Sequence, residues 1–272
     1  MLIDNLQILL LSFIPGLIYL YIAYITTPYN SWDFKKSLLY LIGGTLSVPI
    51  ILTFMELVPS WSLLYINSSK VVFYQLLIMS FIQIAFFEEL IKYFLFLFFR
   101  EKVIPIKIKH HPLSIMVYGG AVSLGFAFTE NILYAARYGS EVLFMRGISA
   151  VIIHMMCGMM MGYFISLSKF HYKLKTNPTD STTGTSIFDI IMQNNPKIRN
   201  YFYIFLGIGI ATFFHGIYDF NLISVIDFGG NLPDTHLAFT IQTIILMVGF
   251  YTVKKMMNHL VKLNIKLNLD SK

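Results

Sequence analysis

Seven ionisable side chains stand deep within apolar stretches of this 272-residue sequence, where a charge is costly and usually functional. They are Glu88, Glu89, Lys92, Glu130, His154, His215 and Asp219. Glu88 and Lys92 are four residues apart, the spacing of neighbours on one helix face. His215 and Asp219 have the same spacing. Carboxylates and histidines gathered in a dry cavity can exchange protons with a bound water molecule, so these residue types favour hydrolysis.

The stretches that carry these residues are long enough to cross a bilayer, which takes about 20 residues. Seven such stretches occur, at 5–27, 37–59, 72–99, 115–136, 143–168, 201–225 and 236–257. The chain is 56% hydrophobic and 12% charged, whereas a soluble chain is about a quarter charged. We therefore predict an all-α polytopic membrane protein, with about seven transmembrane helices around a polar intramembrane cavity.

Composition and charge placement exclude other classes of protein. Cys157 is the single cysteine, so neither a disulfide framework nor a Cys-rich metal site can form within the chain. The net charge is +6, but the positions of the basic residues do not form a basic face on a soluble surface, as nucleic-acid binding requires. With the N-terminus outside, 16 of the 20 basic residues fall in cytoplasmic segments. This bias predicts a plasma-membrane protein with a cytoplasmic C-terminus, whose partner is the lipid bilayer.

The seven-helix pattern also predicts three regions. Residues 1–70 hold the first two transmembrane helices, and residues 71–228 form a catalytic core of four helices that includes a flexible cytoplasmic loop at 169–200. Residues 229–272 hold the last helix and a basic cytoplasmic tail. Small residues at Gly158 and Gly162 suit close helix packing inside the core.

The polar groups of the core lie at one depth. Counted at 1.5 Å per residue from the span limits, Glu88, Glu130, His154 and His215 fall within about 7 Å of one plane, as a single internal site requires. The spacing pairs Lys92 with Glu88. It leaves Glu89 either pointing elsewhere or sharing the cavity.

The histidine of the sixth helix has its own predicted partner. Asp219 would fix the tautomer of His215. Arg146, near a helix end, is expected to reach the membrane interface as a structural residue.

Three kinds of intramembrane protease fail on their motifs. No His-Glu pair occurs, which excludes a zinc site of the His-Glu-x-x-His type. Tyr218-Asp219 supplies one aspartyl-protease motif, but the second Asp is missing after Gly209. A rhomboid-like site would use Ser149 and His154 from one helix and would leave every carboxylate unexplained.

The motifs that remain resemble one known family. They are Glu88-Glu89-x-x-Lys92, Phe126-x-x-x-Glu130, His154 and His215-x-x-x-Asp219, with a weaker echo in the first helix at Pro15-Gly-Leu-Ile-Tyr19. Their order on four consecutive helices, over roughly residues 80–225, is similar to the PrsW family of intramembrane proteases. Distant relatives of CAAX type carry His in place of Glu130 and commonly Asn in place of Asp219, so the acidic residues here favour PrsW over a prenyl-protein protease.

The resemblance implies an activity and a role for each residue. The activity would be cleavage of a membrane-anchored protein in or near the bilayer, with single-span anti-sigma factors as the family's substrate class. Glu88 and Glu89 would activate water and His215 would assist. The polar cavity would be completed by Glu130, His154 and Asp219, and supported by Lys92, Phe126 and Asn131.

Metal dependence stays open in the sequence. Glu130, His154 and His215 would form a His₂Glu set for zinc, with Glu88 or Glu89 as the base. A glutamate that activates water without a metal uses the same residues. Outside proteolysis, a proton- or ion-coupled carrier would use the same buried groups as a relay, and a non-catalytic member would bind a partner helix through its small-residue grooves.

Overall fold

The computed structural model describes residues 2–27, 32–57, 73–103, 111–175, 195–227 and 232–267, and these are almost entirely helical. The α-helices are α1 (Leu2–Thr26), α2 (Phe34–Gly44), α3 (Ser47–Leu57), α4 (Phe73–Ile78), α5 (Phe87–Phe98), α6 (Pro112–Tyr138), α7 (Val142–Ile148), α8 (Ala150–Lys175), α9 (Pro196–Asp227) and α10 (Leu232–Leu267). Two π-helical segments flank α5, namely π1 (Met79–Phe86) and π2 (Phe99–Val103). No strand occurs in these ranges, so the predicted all-α class is confirmed.

Within the described ranges, six helical stretches are long and apolar enough to cross a membrane. They are Leu6–Thr26, Phe34–Phe54, Pro112–Tyr138, Val142–Phe170, Pro196–Ser224 and His236–Ile265. These match six of the seven predicted spans. The other predicted span, 72–99, is helical but differs in form, because α and π turns follow one another from Phe73 to Val103.

Helix α6 lies at the centre of the bundle. Its apolar window is 89% buried, and it packs against α1, α2 and α8. The contact with α8 is close because Gly119 faces the backbone of Gly158, at a distance that leaves no room for a Cβ atom. Small residues allow such an approach of two helix backbones. The small-residue pattern that begins at Gly158 therefore packs as the sequence predicts.

The outermost helices present apolar side chains away from the bundle. The window of α10 is 11% buried and that of α1 is 22% buried. Leu9, Ile25, Met247 and Phe250 are among the exposed large side chains of these helices. Exposed apolar faces of this size suit contact with lipid tails rather than water.

Part of the predicted cytoplasmic loop at 169–200 is helical. Helix α8 continues to Lys175 and α9 begins at Pro196, and residues 176–194 lie outside the described ranges. The division at residues 70 and 228 falls on segments that also lie outside them. That division stays a prediction.

Candidate functional site

The first cluster of site residues lies at the start of α5. Glu88, Glu89 and Lys92 follow π1 directly and are all buried. A π turn carries one more residue per hydrogen-bonded ring than an α turn, so it changes the direction in which later side chains point. Here it precedes the residues that face α8 and α9.

Lys92 is the cation at the middle of the site. Its Nζ lies 2.8 Å from Glu89 Oε1 and 3.5 Å from Glu88 Oε2. The same atom is 3.2 Å from Nδ1 of His154 and 3.7 Å from the centre of the Phe126 ring. Its side chain has no exposed surface. A buried ammonium is stable only with such partners, so Lys92 and the two glutamates depend on one another.

His215 on α9 faces the same carboxylates. Its Nδ1 lies 3.0 Å from Glu89 Oε1. Because a carboxylate accepts, Nδ1 carries the hydrogen and donates it. Nε2 then points to Glu88 Oε2 at 3.7 Å and to Asp219 Oδ2 at 3.3 Å. Glu89, and not the predicted Asp219, therefore sets the tautomer of His215.

His154 on α8 connects the two ends of the site. Lys92 donates to Nδ1, so Nε2 carries the hydrogen and donates to Glu130 Oε2 at 3.0 Å. The ring meets that of His215 edge to face, with the centres 4.7 Å apart. Phe126 packs against its other side at 4.9 Å. Two hydrogen bonds and two ring contacts thus hold the orientation of the His154 ring.

Glu130 has a second partner that the sequence did not assign to the site. Arg146 on α7 is buried, forms an ion pair with Glu130 Oε2, and donates from Nε to Asn131 Oδ1 at 2.7 Å. The sequence predicted an interfacial role for this arginine, and the structure differs because α7 turns back onto α6. The one signal was an arginine inside the apolar run Val142–Ile148.

All nine predicted site residues meet in this one place. They are Glu88, Glu89, Lys92, Phe126, Glu130, Asn131, His154, His215 and Asp219. They come from α5, α6, α8 and α9, so four helices supply one buried cluster of polar side chains.

Three carboxylate oxygens in the cavity have no hydrogen-bond partner within the described ranges. They are Glu88 Oε2, Glu89 Oε2 and Asp219 Oδ2, all buried. Donor atoms of Glu88, His154 and His215 also lie within 4.8 Å of one another, the arrangement of a group that could hold a metal ion. This His₂Glu set contains Glu88, where the sequence analysis predicted Glu130.

The cavity has one edge that is less buried than the rest. The side chains of Glu130 and Asp219 are 17% and 15% exposed, whereas those of Glu89 and Lys92 have no exposed surface. A ligand that enters along this edge reaches Glu130 and Asp219 first. Lys92 and Glu89 lie behind them.

Comparison with known proteins assigns the chain to a family. Residues 35–253 match the family described as PrsW family intramembrane metalloprotease. The chain is 44% identical over 55 residues to Protease PrsW of Bacillus subtilis (strain 168), which is 20% of this chain and 25% of that protein. For Protease PrsW of Geobacillus kaustophilus (strain HTA426) the identity is 27% over 113 residues, which is 42% of this chain and 39% of that protein.

A third relative, Protease PrsW of Oceanobacillus iheyensis, is 42% identical over 60 residues, or 22% of this chain and 28% of that protein. The matched segments thus span between about a quarter and two-fifths of the length of these relatives. No solved structure matches the chain.

Proposed function

We propose a reaction for this chain from one premise, which is that the chain belongs to the PrsW family of intramembrane metalloproteases. The reaction is hydrolysis of a peptide bond in a membrane-anchored protein, within or near the bilayer. The part of the chain that the structure describes holds six helical stretches suited to crossing a membrane, which makes this a multi-pass membrane protein. Its substrate is therefore met in the same bilayer.

One observation carries the proposal. Glu88, His154 and His215 converge in a buried cavity, with their donor atoms within 4.8 Å of one another. A carboxylate and two imidazoles at this separation suit the activation of one water molecule. Glu89 and Lys92 lie directly behind them and hold their orientation.

Glu88 is the base in this proposal. Its Oε2 is buried without a hydrogen-bond partner in the described part of the chain, so it is available to accept a proton from water. Glu89 Oε1 already accepts hydrogen bonds from Lys92 and His215. The role of Glu89 is therefore to position those two groups. His215 Nε2 lies on the same side as Glu88 Oε2. With a hydrogen on both ring nitrogens, His215 would donate from Nε2 to the carbonyl oxygen of a substrate as that oxygen develops charge.

The donor set fits a zinc ion. Glu88, His154 and His215 would hold it, and Glu88 would then be a ligand instead of the base. Glu89 on Nδ1 of His215 is the kind of carboxylate that supports a metal-bound histidine. When bound, zinc supplies Lewis acidity and lowers the pKa of a coordinated water molecule. His154 would have to give up one of its hydrogen bonds, to Lys92 or to Glu130, in order to bind it.

The substrate class follows from the cavity and the family. A helix that crosses the membrane satisfies its own backbone, so a segment must unwind before a base can reach its carbonyl group. The less buried edge at Glu130 and Asp219 is where such a segment would enter. We assign single-span proteins of the anti-sigma-factor kind as substrates, and an enzyme in the plasma membrane with its N-terminus outside and its C-terminus inside.

The first test is cleavage by the purified full chain in proteoliposomes that contain single-span proteins of this kind. Wild type should cleave, and Glu88→Gln should lower kcat by about 10²- to 10⁴-fold because an amide cannot accept the proton. His215→Ala should lower it comparably. Glu101→Gln is the matched control, since Glu101 is 57% exposed and pairs with Arg100 away from the cavity.

Two results would contradict the proposal. Undiminished cleavage by Glu88→Gln and His215→Ala would remove the site assignment. Proton uptake into the vesicles without any cleavage would instead support a carrier. Stoichiometric zinc in the wild type and its loss in His215→Ala would support the metal-bound form, whereas an active preparation free of metal would leave the glutamate alone as the activating group.

A further inference from the structure

Arg146 belongs to a short helix of its own. Helix α7 ends at Ile148 and α8 begins at Ala150, with Ser149 between them. Helix α7 packs against α6. Three groups of α6 then contact the guanidinium of Arg146: the carboxylate of Glu130, the amide oxygen of Asn131 at 2.7 Å, and the ring of Tyr134, whose centre is 3.7 Å away.

Glu130 links Arg146 to His154. The same oxygen, Oε2, pairs with Arg146 and accepts from Nε2 of His154. Because a guanidinium can only donate, the carboxylate stays an acceptor and His154 keeps its hydrogen on Nε2. Nδ1 of His154 then remains the acceptor for Lys92. The orientation of His154 thus depends on Arg146 through one oxygen atom.

Helix α1 fixes the position of α7 in turn. The hydroxyl of Tyr19 donates to the carbonyl oxygen of Gly147 at 3.0 Å. A Cβ atom on Gly147 would lie only 3.0 Å from Cγ of Pro15, so a glycine lets α7 approach α1 at this point. Pro15 and Tyr19 are the two ends of the first-helix motif, which the proposed reaction leaves without a role.

We infer that Arg146 is a positioning residue of the active site, which holds Glu130 and through it His154, and that Pro15 and Tyr19 of α1 brace the helix that carries it. This inference rests on the proposed function. Arg146 itself touches neither the water molecule nor the metal ligands. Its removal should therefore impair the chemical step rather than substrate binding.

The kinetic test is a double-mutant cycle on the full chain in proteoliposomes. Arg146→Gln should lower kcat about 10- to 100-fold with KM little changed, the usual effect of losing a group that orients a site residue. Arg146→Lys should recover part of the loss, because an ammonium can pair with Glu130 but cannot also reach Asn131 as a planar fork. The pair Arg146→Gln with Glu130→Gln should be no slower than Glu130→Gln alone.

Arg137→Gln is the matched control, since Arg137 is an exposed arginine at the end of α6 whose guanidinium lies over Tyr138. It should leave kcat unchanged. The inference is overturned if the two losses multiply in the double variant, if Arg146→Gln raises KM alone, or if Arg137→Gln is equally slow.

A second measurement needs no cleavage and so separates this inference from the proposed function. In detergent, Arg146→Gln and Glu130→Gln should each lower the Tm, and the double variant should lower it by less than the sum, because one change leaves a buried charge unpaired and both together do not. Tyr19→Phe alone should lower the Tm by a smaller amount. Added to Arg146→Gln, it should cause no further change in the Tm. Additive shifts throughout would overturn the inference even in a fully active enzyme, and non-additive shifts would support it even in an inactive one.

Discussion

The two ends of the cavity are built differently. The inner cluster, Glu89, Lys92 and His215, draws its groups from α5 and α9, and its side chains are at most 2% exposed. The rim cluster, Glu130, Arg146 and Asp219, comes from α6, α7 and α9, and its side chains are 10% to 17% exposed. His154 contacts both clusters.

This difference separates what must stay paired from what must stay open. The charges of the inner cluster are buried away from solvent, so the folded state depends on their pairing with one another. The rim charges keep some access to solvent, and a substrate can approach them. We expect the loss of a charge from the inner cluster to cost more stability than a change at the rim, and changes at the rim to act more on the rate of cleavage.

The largest effect is expected for Lys92→Met. Removal of the ammonium leaves Glu88 and Glu89 buried and close together without a counter-charge, which should cost about 3–5 kcal/mol of the free energy of unfolding. Thermal or denaturant unfolding in detergent measures it. Lys255→Met is the control, because that lysine lies exposed over the Tyr251 ring. A Lys92→Met protein as stable as wild type would break the distinction between the clusters.

A smaller effect is expected where α6, which carries Glu130, meets α8, which carries His154. Gly119→Ala places a Cβ against the backbone of Gly158, and should destabilise the protein by about 1–3 kcal/mol. Gly209→Ala is the matched control, because a Cβ there has no atom within 4 Å and the helix gains a better helix former. Equal unfolding midpoints for these two variants would show that the helices can separate at no cost.

The smallest effect is expected at the rim. Asp219→Asn keeps the shape of the side chain, and Oδ2 of Asp219 makes no hydrogen bond to the described residues. We expect kcat to fall about tenfold, the equivalent of one modest polar interaction. Glu89→Gln should cost more, because Oε1 accepts from both Lys92 and His215. Single-turnover cleavage rates compare the two, and a greater loss in Asp219→Asn would reverse the order proposed here.

Spacing within single helices predicts only part of the pairing around Lys92. Lys92 does lie near Glu88, four residues earlier, at 3.5 Å. The spacing could not show that Glu89 is the nearer partner at 2.8 Å, or that Glu89 also reaches His215 on another helix. Which carboxylate faces which helix depends on the rotation of α5, and no local pattern encodes that.

The rim was less accessible to prediction, because its contacts join distant parts of the chain. Arg146 and Glu130 are brought together by the turn between α6 and α7 and by the break at Ser149. The apolar pattern predicts one span over 143–168, which the structure matches, but it does not show that Ser149 interrupts the helix. Hydropathy identifies the stretch that enters the membrane but does not show where it bends.

Segment π1 sets a limit on how this sequence can vary in length. Glu88, Glu89 and Lys92 all follow it, and each residue of a helix turns the chain by roughly 100°. A single deletion or insertion between Met79 and Phe86 would swing the three side chains away from α9 together, even if every residue of the site were kept. The composition of this segment is therefore freer to change than its residue count.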